Sequence, residues 1–361
     1  MFSKQKLCVT MVKMKPTMRN VAEVAQVSPT TVWMVIHNKP GIPPETAQRV
    51  WATIVDLGYT VKPTANGSQS EPVGLLIEQY SMPVISDVFY GEIIRGFQTE
   101  AERLGYHVVL SMFDRATGNI DVLKRGLAQK VSGFVVANDG DITPEMVIQL
   151  ESLSIPIVLV ENHINEQRLP CVMGDNFMAG YQVTRHVLNL GHRKIALLRG
   201  PTKYSSLLDR FRGCMAALAE TSLLIPAEWM PMPVSGHPLK GYVQMKEILE
   251  QIECPTAVIA ISDKTAFGAM EAICEAGLKI PDDIAIASID NTLESAYTRP
   301  PLTTVNIPKY EMGVLALQKL HRLIQGEDTI PVKTIVYSEL IVRESCGAAI
   351  LAPRDNSTYS E

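Results

Sequence analysis

Much of what would mark a catalyst or a membrane protein is missing from this chain of 361 residues. Its six cysteines (Cys8, Cys171, Cys214, Cys254, Cys274 and Cys346) are scattered, with no CxxC pair and no Cys/His cluster. They read as reduced thiols, mostly core filler, and argue against a zinc site or a disulfide scaffold. No apolar run reaches the roughly 18 residues a membrane helix needs. The opening MFSKQKLCVTMVKMK has no continuous apolar stretch of the secretory kind, so the cytoplasm is the expected location. GxSxG, GxxxxGK[ST], GxGxxG and HExxH motifs are all lacking, and His186 and His192 have no acidic partner at ligand spacing. Neither enzyme chemistry nor a cofactor is expected.

The charge that is present is unevenly placed. Residues 1–63 hold eight Lys or Arg against three acids, a net +5, while the remainder carries −10 of the total −5. A small basic region on a larger acidic one suits a polyanion bound at one end. Within that region apolar residues recur at helical spacing three times: Val21, Val24 and Ala25; Val32, Val35 and Ile36; Val50, Ile54 and Leu57. Ser28 before Pro29 is a helix-start signal, and Ala25-Gln26-Val27 supplies a tight turn ahead of it. Two helices about a short turn form the pattern whose second helix enters the DNA major groove, although a plain three-helix bundle shares this spacing.

Residues 1–16 are expected as a flexible tail, 17–59 as the helical headpiece and 60–72 as a linker rich in Pro, Gly, Ser and Asn. From 73 to 346 short apolar runs alternate with amphipathic stretches, and 347–361 form a C-terminal tail. Strands are predicted at 73–78, 107–112, 133–138, 156–161, 171–175, 194–200, 256–262 and 283–290. Helical segments fall at 90–105, 177–191, 210–220 and 263–277. That alternation indicates parallel sheets covered on both faces.

The headpiece resembles that of the lactose-repressor/galactose-repressor family of bacterial transcription regulators. The matching residues are VAEVAQVS, Thr31-Val32, Asn38-Lys39-Pro40-Gly41, Glu45-Thr46, Arg49-Val50 and Leu57-Gly58-Tyr59. The resemblance continues through Gly174-Asp175-Asn176, Leu190 to Ala196, Asp209 to Gly213, Ser262-Asp263 and Arg299 to Val305. It implies an α/β fold: a helix-turn-helix headpiece followed by a two-lobed core like that of type I periplasmic sugar-binding proteins. The chain would cross between lobes three times, placing 73–190 and 306–327 in the first lobe and 191–305 and 328–346 in the second. Implied partners are double-stranded operator DNA, a small-molecule effector and a second copy of the chain; no membrane is involved. A cytosolic small-molecule sensor whose headpiece no longer reads a specific operator is the competing function.

Ligands between such lobes are gripped at the carboxyl ends of strands. Asp175, Asp263 and Asp290 stand at three such ends, and Arg210 could donate a fork of hydrogen bonds to neighbouring hydroxyls. By resemblance Asp175, Arg210 and Asp290 contact the effector, with Ser262 where relatives often carry Asn. Phe89, Phe177 and Tyr204 are candidate platforms for a sugar ring. Arg210→Ala is expected to stay folded, because an empty cleft is wet.

On the DNA side, Arg19, Ser28, Thr30, Thr31 and Asn38 offer polar contacts. The family's base-reading positions fall on Pro29, Thr30 and Met34, and Pro29 and Met34 offer only apolar contact where relatives use hydrogen bonds. Trp33 occupies a place usually held by a small hydroxyl residue. Pro63, Gly67 and Pro72 oppose the helix that relatives form in the linker, and no residue there could wedge the minor groove.

Overall fold

A computed structural model describes residues 17–36, 41–57, 72–78, 88–113, 131–137, 155–162, 169–201, 204–233 and 240–348. The chain divides into two compact units, Met1–Gln69 and Ser70–Glu361. The first contains α1 (Met18–Val24), α2 (Pro29–Ile36) and α3 (Pro44–Leu57). Thr17 caps α1 by accepting the Asn20 N–H, and its own N–H donates in return to Asn20 Oδ1 at 2.8 Å. Ser28 accepts the Thr31 N–H at 3.0 Å and so starts α2, satisfying a donor that the helix itself cannot. Between them Gln26 takes a left-handed φ of 54°, and Arg49 Nε on α3 donates to the Ala25 carbonyl at 3.0 Å. Val21, Ala22, Ala25, Val32, Val35, Val50 and Ile54 close over one another as a small core.

The second unit has two sheets. Strands β1 (Val73–Glu78), β2 (Val108–Phe113), β3 (Phe134–Ala137), β4 (Ile157–Val160) and β5 (Cys171–Gly174) belong to the first, joined by β10 (Lys333–Val336) from late in the chain. Its order is β10-β5-β4-β3-β1-β2, all parallel. The second sheet is built from β6 (Ile195–Leu198), β7 (Ala257–Ala260), β8 (Ala285–Asp290), β9 (Thr303–Asn306) and β11 (Glu339–Ile341). They run β11-β9-β8-β7-β6, with only β11 antiparallel. Fully buried IVLV and AVIA strands confirm that both sheet faces are covered.

Helices α4 (Val88–Leu104) and α9 (Lys309–Ile324) pack together, and α9 lies on the first sheet. Helices α5 (Asn176–Asn189) and α6 (Ser205–Ala219) pack as a pair, with α5 lying on the second sheet. That sheet also carries α7 (Lys240–Leu249) and α8 (Asp263–Glu275). These contacts correct two expected lobe boundaries. The segment 176–189 belongs to the second lobe, so the first crossing is at Asp175 and not after the helix. Strand β10 belongs to the first lobe, because it pairs with β5, and the third crossing is at Tyr337-Ser338. The second crossing is at Ile307-Pro308, between β9 and α9. Expected segments 1–16 and most of 60–72 and 347–361 lie outside the described residues.

Candidate functional site

The strand ends that face the other lobe carry three of the four non-glycine residues with positive φ described in the core, Ser222 being the fourth. Glu161, one residue beyond β4, has φ 59°; Asp290, which ends β8, has φ 133°, and Asn291 has φ 52°. Non-glycine residues adopt such angles at a cost of about 1–3 kcal/mol, which marks places where side-chain aim matters more than local stability.

Arg210 is the centre of the arrangement. Two glycines let α6 come close to α5: a Cβ on Gly180 would lie 1.9 Å from the Arg210 carbonyl oxygen, and one on Gly213 1.9 Å from that of Phe177. Near contact of the two backbones aims Arg210 across the strand ends. Its Nε donates to Asn176 Oδ1 at 2.8 Å, and Nη1 donates to Asp290 Oδ1 at 2.7 Å and to the Ile261 carbonyl at 3.0 Å. The residue is only 2% exposed, which corrects the picture of a guanidinium standing in a wet, empty cleft. Nη2 has no hydrogen-bond partner among the described residues.

Behind this pair lies Asp263. Its carboxylate accepts from Ser288 Oγ at 2.5 Å, Thr304 Oγ1 at 2.7 Å and the Thr292 N–H at 2.7 Å. Burial, reinforced by the like charge of Asp290, still pushes it up to about 6. Burial pulls the Lys309 ammonium below its ordinary range, while Asp290 and Asp263 pull it back. Lys309 donates to the carbonyls of Asp290 and Ile307 and stands 5.6 Å from the ring centre of Phe89. A cavity of about 890 Å³ opens beside this cluster, lined by Glu92, Arg95, Thr292, Lys309 and Arg343 among others. Arg210 does not line it.

The other candidate ligand residues are placed differently. Asp175 caps α5 through the Met178 N–H at 3.1 Å, and Ser262 caps α8 through the Thr265 N–H at 3.2 Å. Each side chain thus caps the start of a helix. Phe177 is exposed and Tyr204 half-buried, while Phe89 meets Tyr90 edge-on at 5.4 Å. The structure thus gathers Arg210, Asp290 and Asp263. It adds Asn176, Glu161 and Lys309, which local sequence pattern does not single out as site residues. A charge ending the apolar run PIVLVE was the available signal for Glu161.

In the headpiece, Arg19, Ser28, Pro29, Thr30 and Trp33 are exposed, and Thr31 and Met34 are half-buried. Asn38 lies outside the described residues. The exposed side of α2 therefore presents Pro29, Thr30 and Trp33.

A helix-turn-helix unit joined to two α/β lobes with charged side chains gathered at their strand ends defines a ligand-responsive DNA-binding regulator. Residues 17–61 match the bacterial regulatory proteins of the lacI family, and residues 184–346 match the periplasmic binding protein-like domain. Catabolite control protein A of Priestia megaterium is 30% identical over 321 residues, covering 87% of this chain and 94% of that protein. The solved complex of transcriptional regulator CelR with cellobiose shares 27% identity at a TM-score of 0.71, over 91% of this chain and 99% of that one. The lac repressor dimer bound to operator and the anti-inducer ONPF shares 25% identity at a TM-score of 0.68, over 93% and 100%. The chain belongs to the lacI family of bacterial regulatory proteins. Its headpiece binds operator DNA and its core binds a small-molecule effector.

Proposed function

We propose that the chain is a repressor released or engaged by a polyhydroxylated metabolite of the sugar class, gripped by Arg210 and Asp290. The observation that carries this reading is that Arg210 Nη2 has no hydrogen-bond partner among the described residues, beside a carboxylate whose one short bond among those residues is to the same arginine. A vicinal diol can accept from the first and donate to the second. Asp263 holds the loop Asp290–Thr292 in place from behind. Phe89, Phe177 and Tyr204 are the rings against which a sugar face would stack, and Asp175 and Ser262 shape the rim through the helices they cap. The cellobiose held by CelR supports this chemical class.

The chain acts by binding and not by catalysis, in the cytoplasm where operator DNA is found. No helix among the described residues is long and apolar enough to cross a membrane. It works as a homodimer, since the lac repressor neighbour is a dimer on its operator and paired headpieces match a palindrome. Light scattering at micromolar concentration should read a dimer; a monomer contradicts that part.

The test of the effector site is a thermal-shift screen of sugars, polyols and nucleosides against the chain and Arg210→Lys. A sugar or polyol should raise the melting temperature of the chain and not that of the variant. Equal shifts in both, or shifts with nucleosides alone, would reject the proposal.

A further inference from the structure

Arg210 sits on the second lobe, yet the group that settles its aim comes from the first. Glu161 follows β4 of the first sheet, is 1% exposed, and turns its carboxylate toward the first crossing. Oε1 accepts the Gly174 N–H at 2.9 Å, and Oε2 accepts Asn176 Nδ2 at 3.3 Å. Asn176 Nδ2 also reaches the Gly174 carbonyl at 3.3 Å. An amide has one oxygen and one NH2, so fixing Nδ2 toward Glu161 leaves Oδ1 toward Arg210 Nε, at 2.8 Å. The opposite flip would set two donors, Nδ2 and Nε–H, against each other. Gly174 is small for the same reason: a Cβ there would lie 2.9 Å from Ile307 Cγ2 and 3.4 Å from Glu161 Oε1.

We propose that Glu161 is a positioning residue that reaches across the lobes and, through the Asn176 amide, holds Arg210 in its effector-gripping orientation. This rests on the reading of Arg210 as the effector contact. A carboxylate is needed because it only accepts. Burial pushes the Glu161 carboxyl above the ordinary carboxylate range, and the Arg210 charge and the Gly174 N–H pull it back. Since Glu161 moves with the first sheet and Arg210 with the second, a change in the angle between lobes alters the aim of Arg210. Effector grip and lobe closure are thereby one event.

Glu161→Gln cannot do the same work. If its oxygen keeps the Gly174 N–H, its NH2 faces the Asn176 NH2, and Asn176 must either lose that bond or flip against Arg210. Asn176→Asp added to Glu161→Gln restores the bonds toward residue 161 and Arg210, at the loss of the bond to the Gly174 carbonyl: the new carboxylate accepts from the introduced glutamine amide on one side and Arg210 on the other. The experiment is ligand-free, on the full chain with ¹⁵N-labelled arginine, following the Arg210 Nε–H resonance assigned by its absence in Arg210→Lys. In the unmodified chain that proton should exchange slowly. Glu161→Gln should shift the resonance and speed exchange by about tenfold or more, as expected for loss of a coupled bond, and the double variant should bring both back and recover the melting temperature. An unchanged resonance in Glu161→Gln overturns the proposal. So does a double variant that neither folds better than Glu161→Gln nor regains the slow proton. Because no effector is used, failure here is separate from failure of Arg210 in the sugar screen.

Discussion

At the scale of single residues the core is governed by where charge can be buried. Arg210 is nearly inaccessible and touches a carboxylate, an amide and a backbone carbonyl, so Arg210→Ala strands all three. Removing one partner of a buried pair typically costs about 3–5 kcal/mol, and urea denaturation should show a loss of that order. A variant as stable as the unmodified chain would mean that Asp290 is solvated in its absence. Asp263 sets a pH dependence. Its folded value of about 6 lies above the ordinary 3.8, so the folded state holds the proton more tightly than the unfolded chain. Its contribution is complete below about pH 4 and is lost as pH rises through about 6, a span worth about 3 kcal/mol. Asp263→Asn keeps an oxygen for the Thr292 N–H and should flatten that part of the stability profile; identical slopes in both proteins would exclude Asp263 as its source.

At the scale of elements, the α5–α6 pair does most to place the site. Its two glycine contacts leave no room for a methyl group, so Gly180→Ala must push α6 outward and carry Arg210 with it. Overpacking of this kind costs about 1–3 kcal/mol, and calorimetry of the core should show the loss. A melting temperature unchanged within error would show that the helices can separate freely. Local pattern made most elements legible. The eight anticipated strands agree with β1–β8 to within one or two residues, because each is a short, largely apolar run, buried in all but the edge strand β2. β9, with its Thr-Thr start, and β10 and β11, half-exposed at their sheet edges, carry no such run. Lobe membership was legible only in part. The apolar stripe of α5, Ala179, Val183 and Val187, would fit either sheet equally well, and long-range pairing alone decides. In the site, Arg210, Asp263 and Asp290 stood out as charged residues beside apolar strands and inside a long motif. Asn176 did not, since its role is the flip of an amide.

At the scale of the whole molecule, the two units have opposite charge balance, +5 over residues 1–63 against −10 elsewhere. The exposed surface of α2 offers Pro29, Thr30 and Trp33, with Met34 half-buried. We propose that Ser28, Thr30, Thr31 and Arg19 serve contacts to phosphate, which position a protein on DNA without reading it. Without an arginine on that face, a bidentate contact worth about 1–3 kcal/mol per half-site is missing. Affinity then rests mainly on counterion release. The decisive measurement is a fluorescence-anisotropy titration of the full chain on selected operator and scrambled duplexes from about 50 to about 200 mM salt, run in parallel with Met34→Arg. Affinity should fall on the order of 10³-fold across that range, with a modest gap between operator and scrambled DNA and a wider gap once arginine is introduced. A nanomolar, sharply bent operator complex of the unmodified chain that persists at the highest salt would contradict that expectation.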